Sequence, residues 1–391
     1  MKFNRINIVL SLFVVAFVLL ASACWAQAPA ATSTPAQTLE LANGLFDREL
    51  WSEALAKYDQ FIAASPKSTQ LPGALLRAGE CWLKLDKPDK ALPYYRRLTT
   101  EFPEAEEATH GWYRTGDILF RTADYAAATG AFQKVLELAP KGPLAAGAAY
   151  WLGETLYRQD KVAEAVTAYE RCLNSSPDAS FAAYATYSIG LAKIKLGDLK
   201  AAQERLETVL KKYPGHDLTA EVIYLLGETA FLGKDYEAAA KRYQQVISDY
   251  PQSRFALLAK CGLGRRLCVQ GKYAEALPYF QEAASGNDVE ARQEAALRSG
   301  DCYYLLSRYA EAASAYGQAA EAKGYVNAGL ARFWQAMSWE RKGDKAAARK
   351  AFEQFVGSYP DHERAGEALL HLGDLQAEAG ALEAAEKSYR A

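Results

Sequence analysis

The chain has 391 residues, and its 45 Lys and Arg residues nearly balance its 47 Asp and Glu residues. This length allows two or three ordinary domains or one long repeat array. The balanced charge argues against a dedicated nucleic-acid binder, because such proteins usually carry a clustered basic excess.

The first 26 residues have the order of a secretory signal peptide. Lys2 and Arg5 form a positively charged start, an apolar core runs from Ile8 to Leu20, and small residues follow. This core is short for a stable membrane span, which needs roughly 20 apolar residues. The sequence therefore predicts export, and an uncleaved N-terminal anchor is the alternative.

Two processing routes fit the end of this segment. The tetrapeptide Ala21-Ser22-Ala23-Cys24 matches a tolerant lipoprotein signal, which would make Cys24 the lipidated first residue of the mature chain. Ordinary cleavage before Gln27 is the other route, because small residues precede that position. Either route leaves residues 27–37 as a flexible linker and residues 38–391 as the body of the protein, with membrane contact only through the signal or a lipid anchor.

Small residues then recur every 36 or 37 residues along the body of the chain. They are Ala42, Gly79, Gly116, Gly153, Gly190, Gly227, Gly264, Gly300, Ala336 and Gly373. An alanine stands 12 residues after each of them. Four residues later comes a large side chain: Tyr58, Tyr95, Phe132, Tyr169, Leu206, Tyr243, Phe280, Tyr316, Phe352 and Tyr389. The spacing predicts a helical hairpin whose backbones approach closely at the small position and whose second helix buries the large side chain.

This pattern resembles the tetratricopeptide repeat (TPR), in which Leu-Gly, an aromatic residue, Ala-x-x-x-Phe and a closing Pro follow one another. Residues 150–177 show nearly the whole pattern, and the resemblance extends from Leu39 to the end of the chain. It implies an all-α, right-handed solenoid of about ten helix-turn-helix repeats of 36–37 residues. The last repeat is expected to be incomplete, because the sequence stops within its second helix.

The repeats also resemble those of bacterial envelope proteins in their length and in ending with Tyr-Pro, as at Tyr213-Pro214 and Tyr250-Pro251. Such repeats occur in the BamD-like outer-membrane assembly lipoproteins and in the periplasmic TPR proteins associated with Tol-Pal. The resemblance implies an exported protein of the periplasm or the outer-membrane periphery of a Gram-negative-type bacterium. No specific role carries over, because the coiled coil of the division proteins has no counterpart here and BamD-like proteins have fewer repeats.

The sequence contains no recognisable catalytic or metal-binding motif. It has no HExxH pair, no Gly-x-Ser-x-Gly elbow, no phosphate-binding loop and no CxxC pair. We therefore expect a protein that is not an enzyme and that uses no cofactor or metal.

The internal cysteines are interpreted as small core residues. They are Cys81, Cys172, Cys261, Cys268 and Cys302. Cys261 and Cys268 lie about 10 Å apart along one helix, beyond the reach of a disulfide. Cys268 and Cys302 fall on the first helices of neighbouring repeats, and the sequence does not decide whether they are in contact.

Tyrosines and acidic residues recur on the predicted first helices. Three residues before the small position stand Tyr113, Tyr150, Tyr187 and Tyr224. One residue after it stand Asp117, Glu154 and Glu228, and also Asp301 and Asp374. A tyrosine and an acid four residues apart share one helical face. First helices line the concave groove of TPR proteins, so the resemblance implies a partner-binding surface here; packing of the tyrosines between helices is the alternative.

These features predict an exported, non-enzymatic TPR scaffold that binds a partner protein and no nucleic acid. One alternative is an adaptor that binds a glycan or a secreted polymer in the same groove. A hydrolase with an unrecognised site is a further alternative.

Overall fold

The computed structural model describes residues 34–175 and 181–391, and all the regular secondary structure in these residues is α-helical. The predicted signal peptide, including Cys24, and linker residues 27–33 lie outside the described residues. The chain divides into two compact units, residues 1–159 and residues 160–391.

Unit 1 contains seven described helices, of which odd-numbered helices are the first and even-numbered helices the second of each repeat. They are α1 (Pro35–Asp47), α2 (Trp51–Ala64), α3 (Leu71–Lys84), α4 (Pro88–Glu101), α5 (Glu106–Arg121), α6 (Tyr125–Leu138) and α7 (Ala145–Arg158). Each helix packs on its neighbours in the chain, and the first helices α3, α5 and α7 also contact one another in order. Helix α1 begins within the last residues of the segment predicted as linker.

Unit 2 contains thirteen described helices with the same alternation. They are α8 (Val162–Ser175), α9 (Ala182–Lys195), α10 (Leu199–Lys212), α11 (Thr219–Leu232), α12 (Tyr236–Asp249), α13 (Arg254–Val269), α14 (Tyr273–Ala284), α15 (Val289–Leu305), α16 (Tyr309–Ala320), α17 (Ala328–Lys342), α18 (Lys345–Ser358), α19 (Ala365–Glu378) and α20 (Leu382–Arg390). The first helices α11, α13 and α15 contact one another across successive repeats. We number the repeats 1–10 by these helix pairs, so that repeat 6 is α11 with α12.

The turn between the two helices of a repeat has one conserved backbone geometry. One residue in each such turn has a positive φ: Glu49, Asp86, Ala123, Asp160, Gly197, Lys234, Gly271, Ser307, Gly343 and Gly380. The left-handed conformation reverses the chain within two or three residues, and it favours glycine because other side chains clash there. Six of these ten positions nevertheless carry another residue type. An aspartate often follows the turn and caps the second helix, as Asp124 and Asp235 do by accepting the backbone N–H of Ala127 and Ala238.

The small position of each repeat lies beneath the large side chain of the second helix. A Cβ atom added at Gly116 would stand 2.7 Å from the Phe132 ring, and one added at Gly227 would stand 2.7 Å from the Tyr243 ring. A small residue is therefore required at these two positions, but the predicted reason was wrong, because the space is taken by a side-chain ring of the second helix and not by its backbone. These rings are fully buried and form the centre of each hairpin's core.

The predicted all-α class of tandem helix-turn-helix repeats is confirmed for the described residues. Each repeat contributes one apolar layer, which the first helix of the next repeat covers within its unit. Among the described residues, no helix combines the length and the apolar character that a membrane crossing requires.

Candidate functional site

The first helices of unit 1 carry four of the predicted site residues. Tyr113 on α5 is half-buried, and its ring packs edge-to-face on the Phe132 ring with centroids 5.9 Å apart. Burial raises the pKa of Tyr113 above its ordinary value. Asp117, one turn later, forms an ion pair with Arg121 at 3.0 Å on the surface of the same helix. Tyr113 is therefore partly a packing residue, whereas Asp117 keeps an exposed partner.

Tyr150 and Glu154 lie one turn apart on α7, and both are half-buried. The Tyr150 ring lies 5.3 Å from the ring of Trp151. Trp151 in turn packs on Phe120 of α5, with ring centroids 5.2 Å apart. An aromatic strip thus joins the first helices of repeats 3 and 4 in unit 1.

The first helices of unit 2 carry Tyr187 and Tyr224. Tyr187 donates its hydroxyl hydrogen to Glu221 Oε1 at 2.6 Å and so links α9 to α11. Tyr224 lies between the rings of Tyr243, at 6.1 Å, and Phe255, at 5.7 Å. Burial raises the pKa of Tyr224. Tyr224 therefore packs between helices, which was the alternative to partner binding. The Tyr187 hydroxyl forms a hydrogen bond between repeats.

In repeats 6 and 8 the acid that follows the small position accepts a hydrogen bond from the buried tyrosine of the same repeat. Tyr243 donates to Glu228 Oε1 at 2.6 Å, and Tyr316 donates to Asp301 Oδ1 at 2.8 Å. Glu228 also forms an ion pair with Arg265 of the next first helix. These acids therefore satisfy a buried hydroxyl. Whether the predicted Tyr and acid positions also contact a partner stays a prediction.

A cleft lies mainly on the first helices of repeats 7–9 in unit 2, and Phe231 of repeat 6 also lines it. Its volume is about 710 Å³, within the range of ligand-binding pockets. Its apolar wall includes Phe231, Val269, Tyr304, Leu305 and Trp334. We call it the repeat 7–9 cleft.

Two aromatic rings and two aliphatic side chains shape the open part of this cleft. Tyr304 and Trp334 meet edge-to-face with ring centroids 5.3 Å apart. Val269 and Leu305 are 53% and 57% exposed, although both are apolar. They occupy the same position in successive repeats, five residues after Gly264 and Gly300. Exposed apolar side chains beside aromatic rings are typical of surfaces that another molecule covers.

The charged residues of the cleft are paired with one another. Arg265 stacks on the Phe231 ring at 4.8 Å while it pairs with Glu228. Arg298 binds Glu294 at 2.8 Å and Asp301 at 3.1 Å.

Burial raises the pKa of Asp301, although the hydrogen bond from Tyr316 and the nearby Arg298 oppose the shift. The Arg265–Glu228 pair joins two first helices, whereas the pairs of Arg298 lie within α15. Each arginine of the cleft wall thus has an anion beside it.

The cleft also contains the only two described cysteines that meet. Cys268 Sγ and Cys302 Sγ lie 3.3 Å apart on α13 and α15. The contact between these two cysteines, which the sequence left undecided, is therefore present. Cys302 is also fully buried, as expected of a core residue. No group of three or more potential metal-binding side chains occurs in the part of the chain that the structure describes.

Three residues of this cleft, Cys268, Asp301 and Cys302, were named from the sequence, but they were not grouped into one site and the apolar wall was missed. One signal was present, because repeat 7 has Arg265 directly after its small position, where repeats 6 and 8 have Glu228 and Asp301. A departure from the repeat pattern marks a position that does more than maintain the repeat. The apolar wall carried no such signal, since its residues fit an ordinary amphipathic helix.

Comparisons with known proteins identify the repeat. Models described as tetratricopeptide repeat match residues 39–106, 110–180, 181–252, 261–328 and 330–362. No curated protein sequence matches the chain.

Several solved structures are similar to parts of this chain. A tetratricopeptide repeat protein from Parabacteroides merdae is 17% identical, with a TM-score of 0.52 over 68% of this chain and 99% of that one. YrrB, a TPR protein with an unusual peptide-binding site, is 20% identical, with a TM-score of 0.44 over 52% and 97%. The pilF protein of Pseudomonas aeruginosa is 20% identical, with a TM-score of 0.43 over 60% and 97%.

Such repeats generally mediate protein–protein interactions and typically form non-enzymatic scaffolds. The family models cover most of the described residues, and the helix pairs have the predicted order and spacing. The predicted fold class, an all-α TPR solenoid, is confirmed. The chain belongs to the tetratricopeptide repeat family.

Proposed function

We propose that this TPR protein is an exported, non-enzymatic scaffold of the bacterial envelope that binds a partner protein through its first-helix face. The observation that carries the proposal is the repeat 7–9 cleft of unit 2, where exposed apolar side chains surround a cavity of about 710 Å³. A cavity of this size accommodates one or two large side chains of a peptide segment.

The chemistry of the cleft favours an apolar segment of the partner. Val269, Leu305 and Trp334 offer contact area, and burying that area on binding is favourable at about 25 cal/mol per Å². Arg265 and Arg298 face three acids, Glu228, Glu294 and Asp301, and so have no unpaired positive charge to offer. An acidic tail would therefore gain little, whereas an aromatic or aliphatic anchor side chain fits the wall.

The cleft is tested by removing its exposed side chains. Val269→Ala together with Leu305→Ala should weaken partner binding at least tenfold, because roughly 1 kcal/mol of apolar contact is lost per side chain. Leu382→Ala is the matched control, since Leu382 is 69% exposed on α20 and lies away from the cleft. Circular dichroism checks that the fold is unchanged.

A photoreactive residue at position 305, used in intact cells and followed by mass spectrometry, identifies the bound molecule. A protein crosslinked at 305 and not at 382 supports the proposal. Binding that survives the double substitution places the partner elsewhere. A crosslinked polysaccharide, or turnover of a small-molecule substrate in a hydrolase screen, supports one of the two alternative functions instead.

The predicted Tyr positions are tested separately, because most of them also pack within the protein. Tyr187→Phe removes only the hydroxyl that binds Glu221 and keeps the ring. A combined Tyr150→Ala, Tyr187→Ala and Tyr224→Ala variant removes the rings. Partner capture that survives the combined variant with the fold intact excludes these tyrosines as the binding surface.

Location in the envelope is part of the proposal and is supported by the sequence of residues 1–26. Lipidation at Cys24 and plain cleavage before Gln27 predict different fractionation. Cys24→Ser should move a lipidated protein from the membrane to the periplasmic fraction, and it should leave a plainly cleaved protein where it was. Recovery of the unprocessed chain in the cytoplasm excludes export.

A further inference from the structure

Two thiols meet in the wall of the repeat 7–9 cleft. Cys268 lies near the end of α13 and Cys302 near the end of α15, and their Sγ atoms are 3.3 Å apart. A disulfide bond requires about 2.05 Å between the sulfurs, so an approach of roughly one ångström separates this contact from a covalent bond. The two residues belong to successive first helices that pack directly on each other.

We propose that Cys268 and Cys302 are a thiol–disulfide exchange site, at which reaction with a small or protein disulfide forms a reversible bond between α13 and α15. Both cysteines line the cleft, and Cys268 is the attacking residue because it is half-buried whereas Cys302 is fully buried. This site is independent of partner binding, since the reaction requires only the two thiols and access through the cleft.

The surroundings of the pair distinguish its two sulfurs. The hydrogen bond with the Cys302 thiol lowers the pKa of Cys268, because a neighbouring S–H stabilises the thiolate. The same hydrogen bond, together with burial, raises the pKa of Cys302. Arg298 lies close enough to favour the thiolate of Cys268, while Asp301 opposes it. The thiolate is the form that attacks a disulfide, so the more accessible member of the pair is also the more reactive one.

The exchange proceeds in two balanced steps. The Cys268 thiolate attacks one sulfur of the oxidant RSSR, forms a mixed disulfide and releases one thiolate RS⁻. The Cys302 thiol then gives up its proton and attacks Cys268 Sγ, which forms the Cys268–Cys302 bond and releases the second RS⁻. Overall, two cysteine thiols are oxidised and the disulfide RSSR is reduced to two RSH molecules.

The other described cysteines lack these features. Cys81, Cys172 and Cys261 are buried, and burial raises the pKa of each thiol, to about 12, 11 and 12 respectively. Cys261 lies two turns before Cys268 on α13, and its thiol points to the carbonyl of Ala291 at 3.7 Å. Cys261 is therefore a control thiol, because it lies on the same helix and its contact is with a carbonyl and not with another sulfur.

The test is oxidation of the folded full chain by oxidised glutathione. Alkylation under denaturing conditions should show two fewer free thiols than in the reduced protein, and mass spectrometry of unreduced peptides should find the Cys268 and Cys302 peptides joined. Dithiothreitol should restore both thiols. A stable glutathione adduct on Cys268 with Cys302 still free, or no loss of thiols at all, overturns the proposal.

Three variants separate the steps. In Cys302→Ser the mixed disulfide on Cys268 should accumulate, because no second thiol displaces the glutathione. In Cys268→Ser the thiol of Cys302 should stay unreacted, since it is buried. Cys261→Ala should form the crosslink to the same extent as the unaltered chain. Equal reaction of Cys302 in Cys268→Ser would contradict the assigned order, and circular dichroism confirms that each variant is folded.

Discussion

Repeats 3 and 6 have the same sequence pattern but use the acid beside their small position differently. In repeat 3 the ring over Gly116 is Phe132, which has no hydroxyl, and Asp117 pairs with exposed Arg121. The Asp117 side chain is 20% exposed, and its ion pair is with a residue of its own helix.

In repeat 6 the ring over Gly227 is Tyr243, and its hydroxyl donates to Glu228. Glu228 also pairs with Arg265 of the next repeat, so one carboxylate joins three helices. The two acids are equally exposed, so the comparison shows that a single phenolic oxygen changes which groups the acid joins and not how deeply it is buried. Positions that appear equivalent in the sequence thus differ in the contacts they make between helices.

The largest expected effect on stability concerns the small positions of the two repeats. Gly227→Ala should destabilise the protein by roughly 3 kcal/mol, against about 1–2 kcal/mol for Gly116→Ala. In repeat 6 the Tyr243 ring is enclosed by two glycines, since Cβ atoms at Gly227 and Gly262 would stand 2.7 and 2.6 Å from it, and its hydroxyl is held by Glu228. It therefore cannot move away from a new methyl group.

Urea titration of the full chain measures both glycine variants. Gly130→Ala is the control, because a Cβ atom at Gly130 meets nothing within 4 Å. This substitution should be neutral or slightly stabilising, since alanine favours the helix. Equal losses for Gly116→Ala and Gly227→Ala would show that the hydroxyl tether does not restrain the ring.

The next difference concerns the arginines that pair with the two acids. Arg265→Met should cost roughly 2–3 kcal/mol, because it leaves the carboxylate of Glu228 largely buried without its cation. The side chains of Arg265 and Glu228 are only 23% and 20% exposed. Arg121→Met should change stability by less than about 0.5 kcal/mol, because Arg121 is exposed and its ion pair is screened by water.

The free energies of unfolding of these two variants, measured at low and at high salt, provide the check. Salt should reduce the small effect of Arg121→Met further and leave that of Arg265→Met nearly unchanged. A loss for Arg265→Met that falls to the level of Arg121→Met at high salt would show that the Arg265–Glu228 pair is screened as the pair of the exposed Arg121 is.

The fold was predictable from the sequence because each repeat places its small residue and its large side chain at fixed spacings. Gly or Ala is followed 16 residues later by a large side chain ten times in the chain. This repetition is compatible with only one register of the helical hairpins. The left-handed turn residue was not predictable from residue type, since Glu49, Ala123 and Lys234 all adopt it. In the segment Leu232–Tyr236 the residue with positive φ is Lys234, and Gly233 has an ordinary negative φ.

The candidate site was less predictable, because it depends on contacts between repeats. Helical spacing predicted that Tyr224 and Glu228 share one face. Their contacts, however, are made with Tyr243, Phe255 and Arg265, which lie on other helices. Spacing within one helix does not contain that information. The contact between Cys268 and Cys302 has the same origin, since it requires the packing of two first helices and not merely their order.

The hydroxyl itself is tested by exchanging the two rings. Tyr243→Phe should cost about 1–2 kcal/mol, because Glu228 loses its donor in a largely buried position. Phe132→Tyr places a hydroxyl near Asp117 and should change stability by less than about 1 kcal/mol, as a new hydrogen bond offsets the burial of a polar group. Thermal and urea unfolding measure both. A neutral Tyr243→Phe would mean that Arg265 alone satisfies Glu228.

The smallest expected effect lies in the turns, where the two repeats should not differ. Ala123 in repeat 3 and Lys234 in repeat 6 have φ values of 62° and 64°, and Gly197 occupies the same turn position in repeat 5 with a φ of 77°. Ala123→Gly and Lys234→Gly should each stabilise the protein by about 0.5–1 kcal/mol, because the relief of left-handed strain exceeds the added freedom of the unfolded chain. Gly197→Ala should lose a similar amount, and urea midpoints measure all three. If both substitutions increase stability equally, the difference between repeats 3 and 6 is limited to the ring and its acid. An increase in only one repeat would show that the stability of the turn depends on the core beneath it.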